Sequence, residues 1–215
     1  MKMDHFELDL DDMLESIKAN DPALIFLAQP NNPTGNLFGE DKIRAIIEAA
    51  SGLVVVDEAY TAFTDADYLN LLNDYDNVVV MRTLSKVGLA GLRMGFLVGK
   101  AEWLNEFDKI RLPYNINCLT QISCAFALKH FDVLKEQTEL LRTNRSQLTE
   151  SLKALPLDKV FDSEANFILV RTQQGQARKI FEALKAANIL IKCLDGGHPL
   201  LTDCLRITVG TDNEN

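Results

Sequence analysis

Apolar residues fall into two textures along the first half of the chain. Short continuous runs, at 23–28 (ALIFLA), 53–56 (LVVV), 77–81 (NVVVM) and 95–99 (GFLVG), read as strands. Between and after them, residues 40–50 place Ile43, Ile46, Ile47 and Ala50 at helical spacing, and 101–111 reads as a further helix. Strands that are apolar throughout, rather than alternating, predict a sheet covered on both faces by helices. In such sheets ligands sit outside the carboxyl ends of the strands, so the residues following each apolar run are the ones expected to carry chemistry.

Past Pro113 the texture changes. From Cys118 to Leu155 there is no Gly and no Pro, and Leu, Ala, Lys, Glu and Gln dominate, which predicts one long helix or a helix pair. Then come an apolar run at 166–171 (NFILVR), a helical stretch near 176–187, and strand-like runs at 189–194 and 204–209 (CLRITV). The expected fold class is therefore α/β: a mostly parallel sheet sandwiched by helices over 1–115, a connecting helix or helix pair over 116–155, and a smaller α+β domain over 156–215. The closing residues Thr211–Asn215 are too polar to pack and read as an abrupt end. No internal repeat or low-complexity segment interrupts this plan.

Composition narrows the function classes. The 215 residues carry 22 Lys+Arg against 31 Asp+Glu, a net charge of −9, which argues against a nucleic-acid partner. With 47% hydrophobic and 25% charged residues the balance is that of a globular chain. No apolar run approaches the length of a membrane span, and the acidic start (Asp4, Glu7, Asp9, Asp11, Asp12) is unlike a secretory leader, so a cytoplasmic protein is expected. Cys118, Cys124, Cys193 and Cys204 form no CxxC pair, and His5, His130 and His198 are scattered, so neither zinc nor haem is expected. Cys193 and Cys204 lie in apolar runs and read as buried thiols of a reducing compartment.

Three strand-end loops stand out. Asn31-Asn32-Pro33-Thr34-Gly35 follows the first run; taken alone it reads first as an ordinary strand-to-helix turn, and second as a turn that presents an amide. Asp57-Glu58-Ala59-Tyr60 follows the second. Either Asp57 caps the next helix and Tyr60 is core, or the carboxylate meets a cation such as a protonated ring nitrogen and the phenol donates to the same ligand. Thr83-Leu84-Ser85-Lys86 follows the third, with Gly88, Gly91 and Arg93 close behind. Either Lys86 and Arg93 are solvated loop cations, the usual fate of such residues and one that the placement after a buried strand disfavours, or the hydroxyls and guanidinium hold a phosphate dianion and the Lys beside them attacks an aldehyde.

The ordered set NNPTG, DEAY, TLSK and GLAGLR resembles the fold-type-I pyridoxal-phosphate aminotransferases of class I/II. The later motifs ANFILVR (165–171) and CLRITVG (204–210) resemble the histidinol-phosphate aminotransferase branch. The resemblance implies pyridoxal 5′-phosphate as cofactor, with Lys86 as covalent anchor and proton carrier, and Asp57 against the pyridinium nitrogen. It implies Asn32 and Tyr60 on the ring's phenolate oxygen, and Thr83, Ser85 and Arg93 on the phosphate. Arg206 would fork onto the substrate α-carboxylate with Asn166 beside it, and Lys192 would take the place of an Arg that often holds the substrate phosphate. The implied reaction is transfer of an amino group from L-histidinol phosphate to 2-oxoglutarate by a homodimer. Threonine-phosphate decarboxylases and aromatic-amino-acid aminotransferases share most of these motifs, and a non-catalytic fragment is a further reading.

The chain departs from the family pattern before its first strand. The family carries there a long section with a phosphate-binding turn and an aromatic that stacks on the ring, and neither can be placed in this sequence. The final helix after CLRITVG is also not found. Weak cofactor retention, little turnover and exposed apolar sheet faces are expected on that account.

Overall fold

The computed structural model describes residues 6–215; Asp4 and His5 lie outside them. The first sheet has the order β1-β2-β3-β4, formed by β1 (Leu24–Ala28), β2 (Leu53–Asp57), β3 (Val78–Thr83) and β4 (Gly95–Gly99). β1, β2 and β3 are parallel, and β4 returns antiparallel to β3. Helices α1 (Leu10–Asn20), α2 (Glu40–Ala49) and α3 (Leu71–Asp74) contribute to the covering of one face, where Ile25, Leu27, Val54, Val56, Val78 and Val80 form the core with Ile43, Ile46 and Ile47. Against the other face lies α4 (Ala101–Ile110), whose Trp103 and Phe107 pack on Leu53, Val55, Val79, Met81 and Leu97.

Ile46 is fully buried at the centre of the α2 layer. Ile46→Ala leaves a cavity bounded by rigid strands and should cost about 2–5 kcal/mol, read as a lowered urea midpoint at unchanged slope.

The helix α1 lies in a stretch that the sequence reading took only for its acidity. Asp9 caps it, accepting from the Asp12 amide at 3.4 Å, and Asp11 and Asp12 favour the positive helix start. Leu10, Met13 and Ile17 recur at helical spacing and pack on the core. The sheet is covered on both faces only at its centre. Phe26 of β1 is 62% exposed on the α4 side, and Val98 of β4 is also exposed.

The long Gly-free and Pro-free stretch divides into α5 (Cys118–Lys129) and α6 (Phe131–Lys153), separated at His130. The second sheet, β5-β6-β8-β7, is antiparallel throughout and comprises β5 (Lys159–Val160), β6 (Phe167–Arg171), β7 (Lys192–Cys193) and β8 (Cys204–Thr208). α6 and α7 (Ala177–Ala186) cover one face through Leu152, Ile168, Val170, Ala177 and Leu205. On the other face Phe6 packs against Phe161, Leu169 and Cys204. In the run at 189–194 the ladder takes in Lys192 and Cys193, and Leu194 N adds a bond to the Cys204 carbonyl at 3.0 Å. Asn188 (φ 64°) turns the chain out of α7, Leu190 is exposed, and Gly196-Gly197 draws the chain away from β8. Cys204 is buried as expected, whereas Cys193 is half-buried.

Candidate active site

Since β1, β2 and β3 are parallel, the three loops of interest emerge at one end of the first sheet. Val54 and Val56 face α2, so strand alternation turns Asp57 to the opposite side, together with Leu53 and Val55. Its Oδ1 accepts from the Ala59 amide at 3.0 Å. Burial pushes the Asp57 carboxyl above its ordinary range, while the Ala59 amide and the charge of Lys86 pull it back. The acid and the amine thus share one electrostatic environment.

Thr83 ends β3, and a single 3₁₀ turn, Ser85–Val87, follows. The Thr83 and Ser85 hydroxyls are 3.0 Å apart, and the Ser85 amide donates to Thr83 Oγ1 at 3.1 Å. Lys86 projects from this turn over the ring of Tyr60, with Nζ 5.3 Å from its centroid. Tyr60 is buried, edge-on to Phe167 at 5.2 Å. Gly88 (φ 91°) reverses the chain after the turn. Arg93 is exposed and donates to the Ala90 carbonyl at 3.4 Å; among the described residues it makes no hydrogen bond to Thr83 or Ser85.

The NNPTG loop is closed on itself. Gly35 N donates to the Asn31 carbonyl at 2.8 Å, Asn31 Nδ2 donates to Thr34 Oγ1 at 2.6 Å, and Gly35 takes a left-handed φ of 79°. A Cβ on Gly35 would collide with the Ser163 side chain, so the loop sits directly against the strand entry of β6. Asn32 stands exposed on this loop, and its Oδ1 accepts from Nη1 of Arg206.

Arg206 lies on β8 with its guanidinium 4.8 Å from the centroid of Phe167, and its Nε is buried with no hydrogen-bond partner among the described residues. Lys192 of β7 stands directly across the ladder from Arg206. Asn166 precedes β6, half-buried, its carbonyl accepting from the Val209 amide at 2.9 Å. The structure thus brings Asn32, Asp57, Tyr60, Lys86 and Arg206 to one side of the first sheet's carboxyl end. Thr83 and Ser85 belong to the same turn as Lys86, Asn166 and Lys192 border the site, and Arg93 faces solvent.

Two further side chains shape the site. Arg145 of α6 donates from Nη1 to the carbonyls of Phe63 and Ala165, both at 2.9 Å, and so ties the turn after Tyr60 to the segment before Asn166. Glu58 is buried on the face opposite Asp57 and pairs with Arg82. A second acid directly after a buried strand was a legible sign for Glu58. Arg145 leaves no such sign, since it lies in a helix rich in charge.

The family model for aminotransferase class I and II matches residues 1–215. The chain belongs to this family. It is 54% identical over 210 residues to histidinol-phosphate aminotransferase 2 of Nitrosococcus oceani, covering 98% of this chain and 58% of that protein. Among solved structures, the histidinol-phosphate aminotransferase of Sinorhizobium meliloti, in complex with pyridoxal-5′-phosphate, superposes with a TM-score of 0.85 at 31% identity. That match covers 96% of this chain and 58% of the solved one. The histidinol-phosphate aminotransferase of Clostridium acetobutylicum shares the fold with a TM-score of 0.90 at 22% identity, covering 98% of this chain and 65% of that one. This aminotransferase-family chain therefore spans a little over half the length of the curated relative it matches. Among its described residues no helix is long and apolar enough to cross a membrane, and no cluster of His, Cys, Asp and Glu could hold a metal ion.

Proposed function

We propose that this chain carries the Schiff-base lysine, ring-binding acid and anion-binding arginine of a pyridoxal-5′-phosphate-dependent transaminase. Its substrates are L-histidinol phosphate and 2-oxoglutarate, its products imidazole acetol phosphate and L-glutamate, and its place is histidine biosynthesis. The observation that carries this reading is the convergence of unneutralised groups on one place. A half-buried acid with a raised pKa meets there an amine with no hydrogen bond and a buried arginine Nε with no hydrogen-bond partner, both among the described residues. Such groups are costly on their own. A ring that is cationic at its nitrogen and carries an aldehyde would satisfy the acid and the amine, and the carboxylate of a substrate beside it would satisfy the arginine.

The residues fit the cofactor. Bound, it supplies an aldehyde and a protonated ring able to accept electron density from the substrate Cα. Asp57 would hold the protonated ring nitrogen, and Lys86 Nζ would anchor the cofactor and move the proton to and from Cα. Asn32, whose Oδ1 is occupied by Arg206, offers its amide N–H groups to the ring oxygen, and Tyr60 offers its hydroxyl. Thr83 and Ser85 present paired hydroxyls to the phosphate, with Arg93 as a charge at the rim. Arg206 receives the carboxylate of the oxo acid or glutamate, and Asn166 lines its approach.

The pairing of Lys192 with Arg206 across β7 and β8 favours a phosphate-bearing substrate, because two adjacent cations suit a dianion. Apolar side chains left in water, such as Phe26, Leu119 and Ile122, favour association with a second copy. Four free cysteines accord with a cytoplasmic setting.

The test is a half-reaction under saturating pyridoxal 5′-phosphate. L-histidinol phosphate should convert the cofactor spectrum to its amine form, L-threonine phosphate should release no carbon dioxide, and Arg206→Lys should weaken substrate binding about tenfold or more. Release of carbon dioxide, or indifference to L-histidinol phosphate with the cofactor bound, would overturn this substrate assignment.

A further inference from the structure

Glu58 takes no part in the chemistry above, yet it is the most enclosed charge beside it: its side chain is 0% exposed. It follows Asp57 directly and, by strand alternation, points to the opposite face of the sheet. Its backbone amide donates to the Met81 carbonyl at 2.8 Å and forms the last rung between β2 and β3. Its carboxylate makes two further bonds on that face. Oε2 accepts from Nε of Arg82 at 2.5 Å, and Oε1 accepts from the Tyr68 amide at 2.8 Å. Arg82 is itself the neighbour of Thr83, and its other arm reaches Asp67 at 2.9 Å.

The ion pair ends beside Thr83, cross-linking β2 and β3 one residue after Asp57 and one residue before Thr83. The bond to Tyr68 closes the loop from 58 to 68, which carries Tyr60 and begins with the Ala59 amide held by Asp57. The first residues of that loop are held by the Asp57–Ala59 bond and by Thr61 N on the Glu58 carbonyl at 3.1 Å. Its middle is held by Arg145 on the Phe63 carbonyl at 2.9 Å, and its far end by the Tyr68 bond and the contact of Arg82 with Asp67. We infer that Glu58, clamped between Arg82 and the Tyr68 amide, is a positioning residue that fixes Asp57 and Tyr60 for the cofactor from the reverse side of the sheet. This inference rests on the reading of Asp57, Tyr60 and Lys86 as the cofactor site.

The experiment uses Glu58→Gln, which keeps the size of the side chain and an acceptor for the Tyr68 amide but sets an amide against Arg82. In the cofactor-free chain, hydrogen exchange at the Ala59 amide should quicken about tenfold while amides inside β2 stay protected, since one charge-assisted bond at the strand end is lost. With pyridoxal 5′-phosphate added, the dissociation constant should rise about tenfold at a melting temperature close to wild type. A purely structural role would instead quicken exchange along the whole of β2 and lower the melting temperature. Arg82→Lys, which keeps the charge and loses the fork, should show the same pattern at smaller amplitude, and it serves if Glu58→Gln does not fold. Unchanged Ala59 exchange and unchanged cofactor affinity in the variant that folds would overturn the positioning role alone. Failure of the wild-type chain to bind the cofactor at all would overturn the cofactor reading, and this inference with it.

Discussion

Lys86→Ala should abolish the borohydride-fixed pyridoxyl label that the wild-type chain acquires with pyridoxal 5′-phosphate. Amino-group transfer should fall by about 10⁴-fold or more, because one substitution removes both the covalent anchor and the general base. Lys86 is the only lysine among the three strand-end loops, and it leans over the Tyr60 ring within electrostatic reach of Asp57. Folding should be nearly indifferent to the change. Among the described residues Lys86 makes no hydrogen bond or ion pair, and its contact with Tyr60 is worth about 0.5–1 kcal/mol at such a site. The checks are peptide mapping after reduction, for the label, and a thermal melt, for the fold. A label that persists in the variant, on a peptide other than the one bearing position 86, would place the anchor elsewhere and remove the basis of the whole site assignment.

Much of this architecture could be read from the order of residues because two signals agree at each strand end. The runs Leu53–Val56 and Val78–Met81 are apolar throughout, which predicts burial on both faces, and the polar residues that follow them stand at the sheet's carboxyl edge. The placement of Asp57, Lys86 and Asn32 at that edge was legible for that reason. What was not legible depends on contacts distant in sequence. The bond from Arg206 to Asn32 joins residues 174 positions apart, and nothing local to either residue announces it. The helix α1 was missed because a run of acids masked the spacing of Leu10, Met13 and Ile17, although those same acids suit a helix start. The run at 189–194 has strand composition, but only its second half, Lys192 to Leu194, meets β8, since pairing is decided by the neighbouring strand and by Gly196-Gly197. The exposed side chains of β1 and β4 show the same limit. Apolar composition states that Phe26 and Val98 belong in a dry environment, and it does not state what supplies one.

Asp57→Asn should separate stability from chemistry and move them in opposite directions. In the cofactor-free chain Asp57 is a burdened acid: burial raises its pKa above the ordinary value of 3.8, and the Ala59 amide and Lys86 only partly offset this. An acid whose folded-state pKa is raised binds its proton more tightly in the folded chain than in the unfolded one. Its stabilising effect is therefore complete below the unfolded value and is lost as pH rises through the folded one. Asn keeps the acceptor for Ala59 and carries no charge to desolvate. The variant without cofactor should accordingly melt higher than wild type at neutral pH, and the difference should shrink as pH falls toward 3.8. With cofactor bound the order reverses for chemistry, because an amide cannot hold the ring nitrogen protonated. Exchange of the substrate Cα hydrogen, followed by deuterium uptake, should slow by about 4–6 kcal/mol of barrier, several orders of magnitude. A variant that melts no higher would show that burial of Asp57 is already compensated in the free chain. A variant that exchanges Cα hydrogen at the wild-type rate would show that this acid does not face the ring nitrogen.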